Sequence, residues 1–132
     1  MPFNPTHLGV LITSLLVTTA GAGDVFVIAN PSLNLTAEEV RDVFTGEKQL
    51  AGNVKFVPMD NASLQADFLS KVLKVEANKY TSIWVKKGFR DGLNPPPTRG
   101  NDAEVINIVK SNLGAVGYVS RATPDVKVIH KY

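Results

Sequence analysis

The run "NVKFVPMDNASLQADFLSKVL", Asn53 to Leu73, decides the fold because the repeat of its apolar residues changes part-way along. Asn53 to Met59 alternates as a strand does, and Pro58 removes a ladder donor, so this strand is either ending or lying at a sheet edge. Beyond it, Leu64, Phe68 and Val72, together with Leu69 and Leu73, recur at the spacings of one helical face. Gln65, Asp67, Ser70 and Lys71 turn to water. Asn61 or Ser63 is the natural cap of that helix. A strand that passes into a helix within five residues is the building unit of an α/β layer, whose ligand sites lie at the carboxyl ends of strands.

The flanking sequence continues the pattern. "DVFVIAN", Asp24 to Asn30, is a β-branched and aromatic run closed by Asn30 and Pro31, the signature of a buried strand. In "LTAEEVRDVFTG", Thr36 and Glu39 have capping-box spacing and Leu35 and Val40 that of a hydrophobic staple. They start a helix from Ala37 to about Thr45, with Val40, Val43 and Phe44 on its apolar face and Gly46 at its left-handed end. Downstream, Tyr80, Ile83, Trp84 and Lys87 are spaced for a helix over Asn78 to Lys87 that "KKG" closes through its dipole. "GFRDGLNPPPTRG" is an irregular connection stiffened by three prolines. Asn101 and Glu104 cap another helix with Val105, Ile108, Val109 and Leu113 on its face and Gly114 at its end. Ala115 to Ser120 and Asp125 to about Lys131 read as closing strands. The order strand, helix, strand, three helices, strand, strand implies an α/β fold with a mixed, mainly parallel sheet flanked by about four helices.

Composition bounds the function. The chain has 132 residues, 44% apolar and 20% charged, which suits one globular domain with a single core. Its 14 basic and 12 acidic residues are dispersed, so no nucleic-acid partner is expected. Cysteine is absent, which excludes disulfides, thiolate nucleophiles and cysteine-ligated metals. The apolar stretch Leu8 to Thr19, followed by Ala20 and Ala22 in a small-x-small pattern, reads as a signal peptide over residues 1–22, with an uncleaved anchor or a buried helix as the alternative because "MPFNPTH" has no Lys or Arg. It places a domain over 23–132 in the periplasm or outside the cell.

The chemistry converges on "MDNAS". A helix start offers unpaired N–H groups and the positive end of a dipole, which hold an anion without any Lys or Arg. Asp60 can accept from a protonated oxyanion or orient a donor, and Asn61 and Ser63 can add side-chain donors. The same residues are also the commonest helix caps, so capping alone accounts for them equally well. The group Lys86, Lys87 and Arg90 near Trp84 and Phe89 reads as a solvated helix end. His130 reads as a partly exposed strand histidine with no second ligand at metal spacing. No G-x-S-x-G accompanies it, so neither catalysis, a metal nor another cofactor is expected. "NLT" at Asn34 and "NAS" at Asn61 fit the glycosylation sequon, a pattern that often arises by chance.

Taken in order, "LNLTAEEVRDVFTGEKQL", "VPMDNASLQADFLSKVL", "YTSIWVKKGF" and "NPPPTRGNDAEVINIVKSNLGAVGYV" resemble the phosphate-binding proteins of ABC transporters, especially short members of that type 2 periplasmic-binding-protein family. "DVFTG" at Asp42 to Gly46 is similar to the family's Ile-Phe-x-Gly, and "LGAVGYV" at Leu113 to Val119 to its Pro-Gly-Ala-Ile-Gly-Tyr-Val. The resemblance runs from about Val25 to Val119 and implies a single periplasmic-binding-protein-like lobe. The opposing lobe is then missing, supplied by another chain, or unnecessary. Where the family grips phosphate with Ser-Gly-Thr before a Phe, this chain has Ala62, Ser63 and Leu64 before the residues leading to Phe68. Two hydroxyl donors are lost, each worth about 1.5–3 kcal/mol to a charged ligand. The implied site is reduced to the helix start with Asp60, Asn61 and Ser63, joined by Arg99 if the proline loop folds back.

Two functional readings result. One is an exported lobe that binds phosphate or a similar small oxyanion, weakly or with a partner. The other is a ligand-silent interaction module of the cell envelope. The partners implied are a small oxyanion, an envelope or transporter protein, and a second copy of the chain.

Overall fold

The computed structural model describes residues 23–132; the proposed signal peptide lies outside them. β1 (Phe26–Ala29) is followed by a 3-10 turn (Ala37–Glu39) that runs into α1 (Val40–Phe44). Thr36 N–H donates to Glu39 Oε1 at 2.9 Å, and Leu35 and Val40 are both buried, as the capping box and staple required. Gly46 has φ +77°, and a Cβ there would meet the Trp84 ring at 2.9 Å. Backbone conformation and packing therefore both demand glycine.

The expected strand over Asn53 to Met59 divides. β2 (Leu50–Ala51) and β3 (Val54–Lys55) form a hairpin, β4 (Val57–Pro58) joins the main sheet, and β5 (Asp60–Asn61) leaves it. α2 (Gln65–Phe68) continues as a π turn (Leu69–Leu73) ended by Lys74 at φ 56°. α3 spans Ala77–Asp91, a turn beyond its expected end, because Gly88 is tolerated inside the helix and Gly92, at φ 69°, makes the left-handed stop instead. β6 (Thr98–Arg99), α4 (Asp102–Ser111), β7 (Ala115–Val119) and β8 (Lys127–Lys131) complete the chain. Asn101 Oδ1 accepts from Glu104 N–H at 3.0 Å, the cap its sequence predicts. Val105 and Val109 are buried, but Leu113 lies past the helix end and is 60% exposed.

The main sheet has the order β4-β7-β1-β8. It is mixed, as expected, but parallel pairs are not in the majority. β4 pairs with β7 in parallel, whereas β1 is antiparallel to both β7 and β8. Three strands, β4, β7 and β8, run one way, and of these only β4 and β7 are joined through helices. The one that opposes them, β1, sits inside the sheet and so contributes two antiparallel ladders rather than one. Pro58 does lie on an edge strand, where its missing N–H leaves no gap in a central ladder.

Alternation along β1 and β7 sorts the core into two layers. Val27, Ala29, Val116 and Tyr118 join Phe44, Phe68, Leu73, Tyr80 and Trp84 on one face, against α1, α2 and α3. Ile28, Ala115 and Val119 join Met59, Val105 and Val109 on the other, against α4. Close approach fixes two glycines. A Cβ on Gly117 would fall 2.6 Å from Val105 Cγ1, and one on Gly114 would fall 1.9 Å from the Lys55 carbonyl oxygen. Phe68 lies flat on Tyr118, with centroids 3.8 Å apart and planes within 1°, and Phe44 meets Phe68 edge-on at 4.7 Å. Among the described residues no helix is long and apolar enough to cross a membrane.

Candidate functional site

The chain past the carboxyl end of β4 turns away from the sheet because Asp60 and Asn61 pair with β6, Asp60 opposite Thr98 and Asn61 opposite Arg99. The proline loop therefore does fold back to the junction, and Arg99 arrives beside Asn61. Backbone bonds lock the crossing, with Asp60 N–H donating to the Pro97 carbonyl and Ala62 N–H to the Arg99 carbonyl, both at 2.8 Å.

Asp60 is 2% exposed. Its two oxygens each accept from a tyrosine, Oδ1 from the Tyr118 hydroxyl at 2.8 Å and Oδ2 from the Tyr80 hydroxyl at 2.9 Å. Burial pushes its pKa up, opposed by the hydrogen bonds from Tyr118, Tyr80 and Gln65, and burial beside this carboxylate raises both phenols. The folded state thus holds a proton on Asp60 more tightly than the unfolded chain does. Its contribution to stability is complete below the ordinary carboxyl value of 3.8 and is lost as pH rises through the raised folded value. Thermal unfolding across that range should show wild type losing Tm relative to Asp60→Asn as pH rises; a difference independent of pH would disprove the assignment.

Asn61 is fully buried and joins three elements. Its Nδ2 donates to Asp102 Oδ1 at 2.8 Å and to the Tyr118 carbonyl at 3.0 Å. Its Oδ1 accepts from Ser63, from the N–H at 3.1 Å and the hydroxyl at 2.6 Å. Asp102 is held in turn by the Ser120 N–H at 3.0 Å and hydroxyl at 2.6 Å. Asn61 forms an Asx turn ahead of the helix rather than capping it. The N-cap is Leu64, which has no side-chain acceptor, and its N–H bonds to the Asn61 carbonyl at 3.0 Å. The amides of Asp60, Ala62, Ser63 and Leu64 are therefore all engaged within the chain. The free end of the helix dipole is displaced one turn downstream from "MDNAS".

Arg99 differs from its neighbours. Its Nε is buried with no hydrogen-bond partner, and its Nη1 is 3.8 Å from Glu104 Oε2, a loose ion pair on a side chain 36% exposed. It is the candidate residue with unused donor capacity.

Of the four candidates, Asp60 lines the adjacent open groove of ≈ 660 Å³, together with Gln65, Tyr80, Thr81, Trp84 and Thr98. Asn61, Ser63 and Arg99 lie outside it. Sequence reading missed Tyr80 and Tyr118 as partners of Asp60, and Asp102 and Ser120 as partners of Asn61. Tyr80 carried only the signal of an apolar helix face, and the Asn61–Asp102 pair is 41 residues apart with no local pattern to link it. In the basic group, Lys87 turns inward to Glu47 at 2.5 Å and is buried, while Lys86 and Arg90 are exposed. His130 lies on β8 with its ring 4.6 Å from that of Tyr132.

No family model and no curated protein sequence matches the chain. Solved structures do. An ABC-type phosphate transport receptor from Vibrio cholerae superposes with a TM-score of 0.58 at 18% identity, covering 82% of this chain and 47% of the receptor. PstS from Borrelia burgdorferi superposes with a TM-score of 0.52 at 14% identity, covering 74% of this chain and 41% of that one. The chain spans less than half the length of either. It has the fold of a phosphate-receptor lobe, the fold its motifs implied.

Proposed function

We propose that this chain is an exported, non-enzymatic solute-binding lobe that contributes one wall of a site for phosphate or a similar small oxyanion. A second copy, or an envelope or transporter protein, is its proposed partner at that site. The observation that carries this reading is Arg99, a guanidinium held by β-pairing at the junction with a buried Nε that nothing satisfies. Arginine presents a planar fork suited to tetrahedral oxyanions. Support also comes from the fold, since one of the two similar receptors is described as a phosphate transport receptor. Ser63 follows Ala62, whose N–H donates to the Arg99 carbonyl, although its hydroxyl must leave Asn61 to reach a ligand. Asp60 and Asn61 serve this site as scaffold, because their polar atoms are engaged internally.

Titration calorimetry of residues 23–132 with phosphate and sulfate tests the proposal. A charged hydrogen bond is worth about 1.5–3 kcal/mol, so Arg99→Gln should weaken binding roughly tenfold or more while Tm stays within a few degrees. No heat at millimolar anion from the folded domain, or equal affinity in the variant, would remove the reading.

A second reading is favoured by a specific observation. The amides and side chains that a phosphate site would use at "MDNAS" are bonded within the chain, and Phe89 stands 88% exposed beside the groove. A lobe reused as an interaction module has both properties.

A further inference from the structure

From the outer face of α3 we infer that the groove beside Phe89 is a docking surface for an extended protein segment that is apolar at its centre and acidic at its flanks. The inference deepens the partner half of the proposed function and does not depend on the oxyanion.

Phe89 is 88% exposed and Val85, one helical turn earlier, 53%. Both line the same groove, whose far wall is Leu93, Pro95 and Pro96. Large apolar side chains exposed next to one another and next to a depression are the anatomy of an interface core, in which an aromatic anchor and a pocket exchange side chains with the partner. The prolines make the far wall rigid, so little conformational freedom is lost on docking.

Charge selects the occupant. Lys86 and Arg90 each come directly after one of the exposed apolar residues, which turns them by about 100° to the solvent side of the same stripe. Lys86 makes no ion pair among the described residues, and Arg90 meets only Asp91, at 3.9 Å with both side chains largely open to water. The solvent side of the α3 wall therefore carries two cations, which stand beside the groove rather than line it. Asp60, on the groove wall, is shielded by its two tyrosine hydroxyls. A second copy meeting face to face would bring two sets of these cations together, which disfavours self-association here. A depression lined on both sides suits a protein segment better than a flat lipid surface.

Selection of a random peptide library on the immobilised domain, counter-selected against Phe89→Ser, tests this directly. The exposure of Phe89 means that the variant should keep its fold, which circular dichroism checks. Enriched sequences should place Asp or Glu around Phe, Leu or Trp, and should bind Phe89→Ser at least tenfold more weakly. Binding should perturb the emission of Trp84, the only tryptophan, which lines the groove. The double variant Lys86→Glu/Arg90→Glu should reverse the preference to basic flanks. The inference is overturned by no enrichment over Phe89→Ser, by basic sequences selected on wild type, or by an unchanged preference after charge reversal. It is also overturned if phosphatidylglycerol vesicles bind in a Phe89-dependent way while the library yields nothing. Anion titration of Phe89→Ser should match wild type, so failure here leaves the Arg99 reading untouched.

Discussion

Asn61→Ala is expected to lower the stability of the domain by about 3 kcal/mol, because one substitution takes a donor from a buried carbonyl and from a half-buried carboxylate at once. The Tyr118 carbonyl loses its side-chain donor and Asp102 loses the amide on Oδ1, whereas the Ser63 hydroxyl, on an exposed residue, exchanges its acceptor for water. An unsatisfied buried polar group costs about 1–3 kcal/mol. For a domain of this size the loss corresponds to a drop in Tm of roughly 10 °C or more. Thermal or denaturant unfolding measures it. The opposite pattern, an unchanged Tm with lost anion affinity, would return Asn61 to the role of ligand residue and refute the scaffold assignment.

Phe68→Ala should be at least as damaging, at about 3–5 kcal/mol. Phe68 is fully buried between Phe44 and Tyr118, and its ring covers the aromatic face of the tyrosine whose hydroxyl holds Asp60. Removing it leaves a cavity that the sheet cannot close, since Tyr118 is pinned in β7, a strand paired on both sides. Two consequences should appear together in urea unfolding and in the pH series. The midpoint falls, and the pH step assigned to Asp60 shrinks as water reaches the carboxyl. A loss below about 1 kcal/mol would mean that the three-ring stack is not the structural centre of this lobe.

Much of the fold was legible because its signals are local. A capping box, a staple and a left-handed glycine act within one helical turn, so Thr36, Glu39, Leu35, Val40 and Gly46 could be assigned from their spacing alone. Pro58 marked an edge for the equally local reason that it lacks an N–H. Strand direction was less legible. Hydrophobic runs report burial, not neighbours, and nothing in "DVFVIAN" says that it inserts between the two last strands of the chain. The end of α3 was misjudged because Gly88 and Gly92 look alike as letters. Of the two, only Gly92 adopts positive φ, a conformation that turns the chain so that Leu93 packs against the core.

The candidate site divides in the same way. By itself the sequence determined that a strand gives way to a helix at "MDNAS", that the junction is polar, and that it lies in a lobe of this architecture. The first two follow from residue type and period, which any local segment carries with it, and the third came from the resemblance of its ordered motifs to a known family. Tertiary structure alone decided what the polar atoms do there. It brought Tyr80 and Tyr118 onto Asp60, placed Asp102 on Asn61, and set Arg99 across from Asn61 with a donor unused. Whether a buried polar group is scaffold or ligand depends on whether its hydrogen bonds are already satisfied. Partners that arrive from 20, 41 and 58 residues away decide that, and local spacing does not encode them.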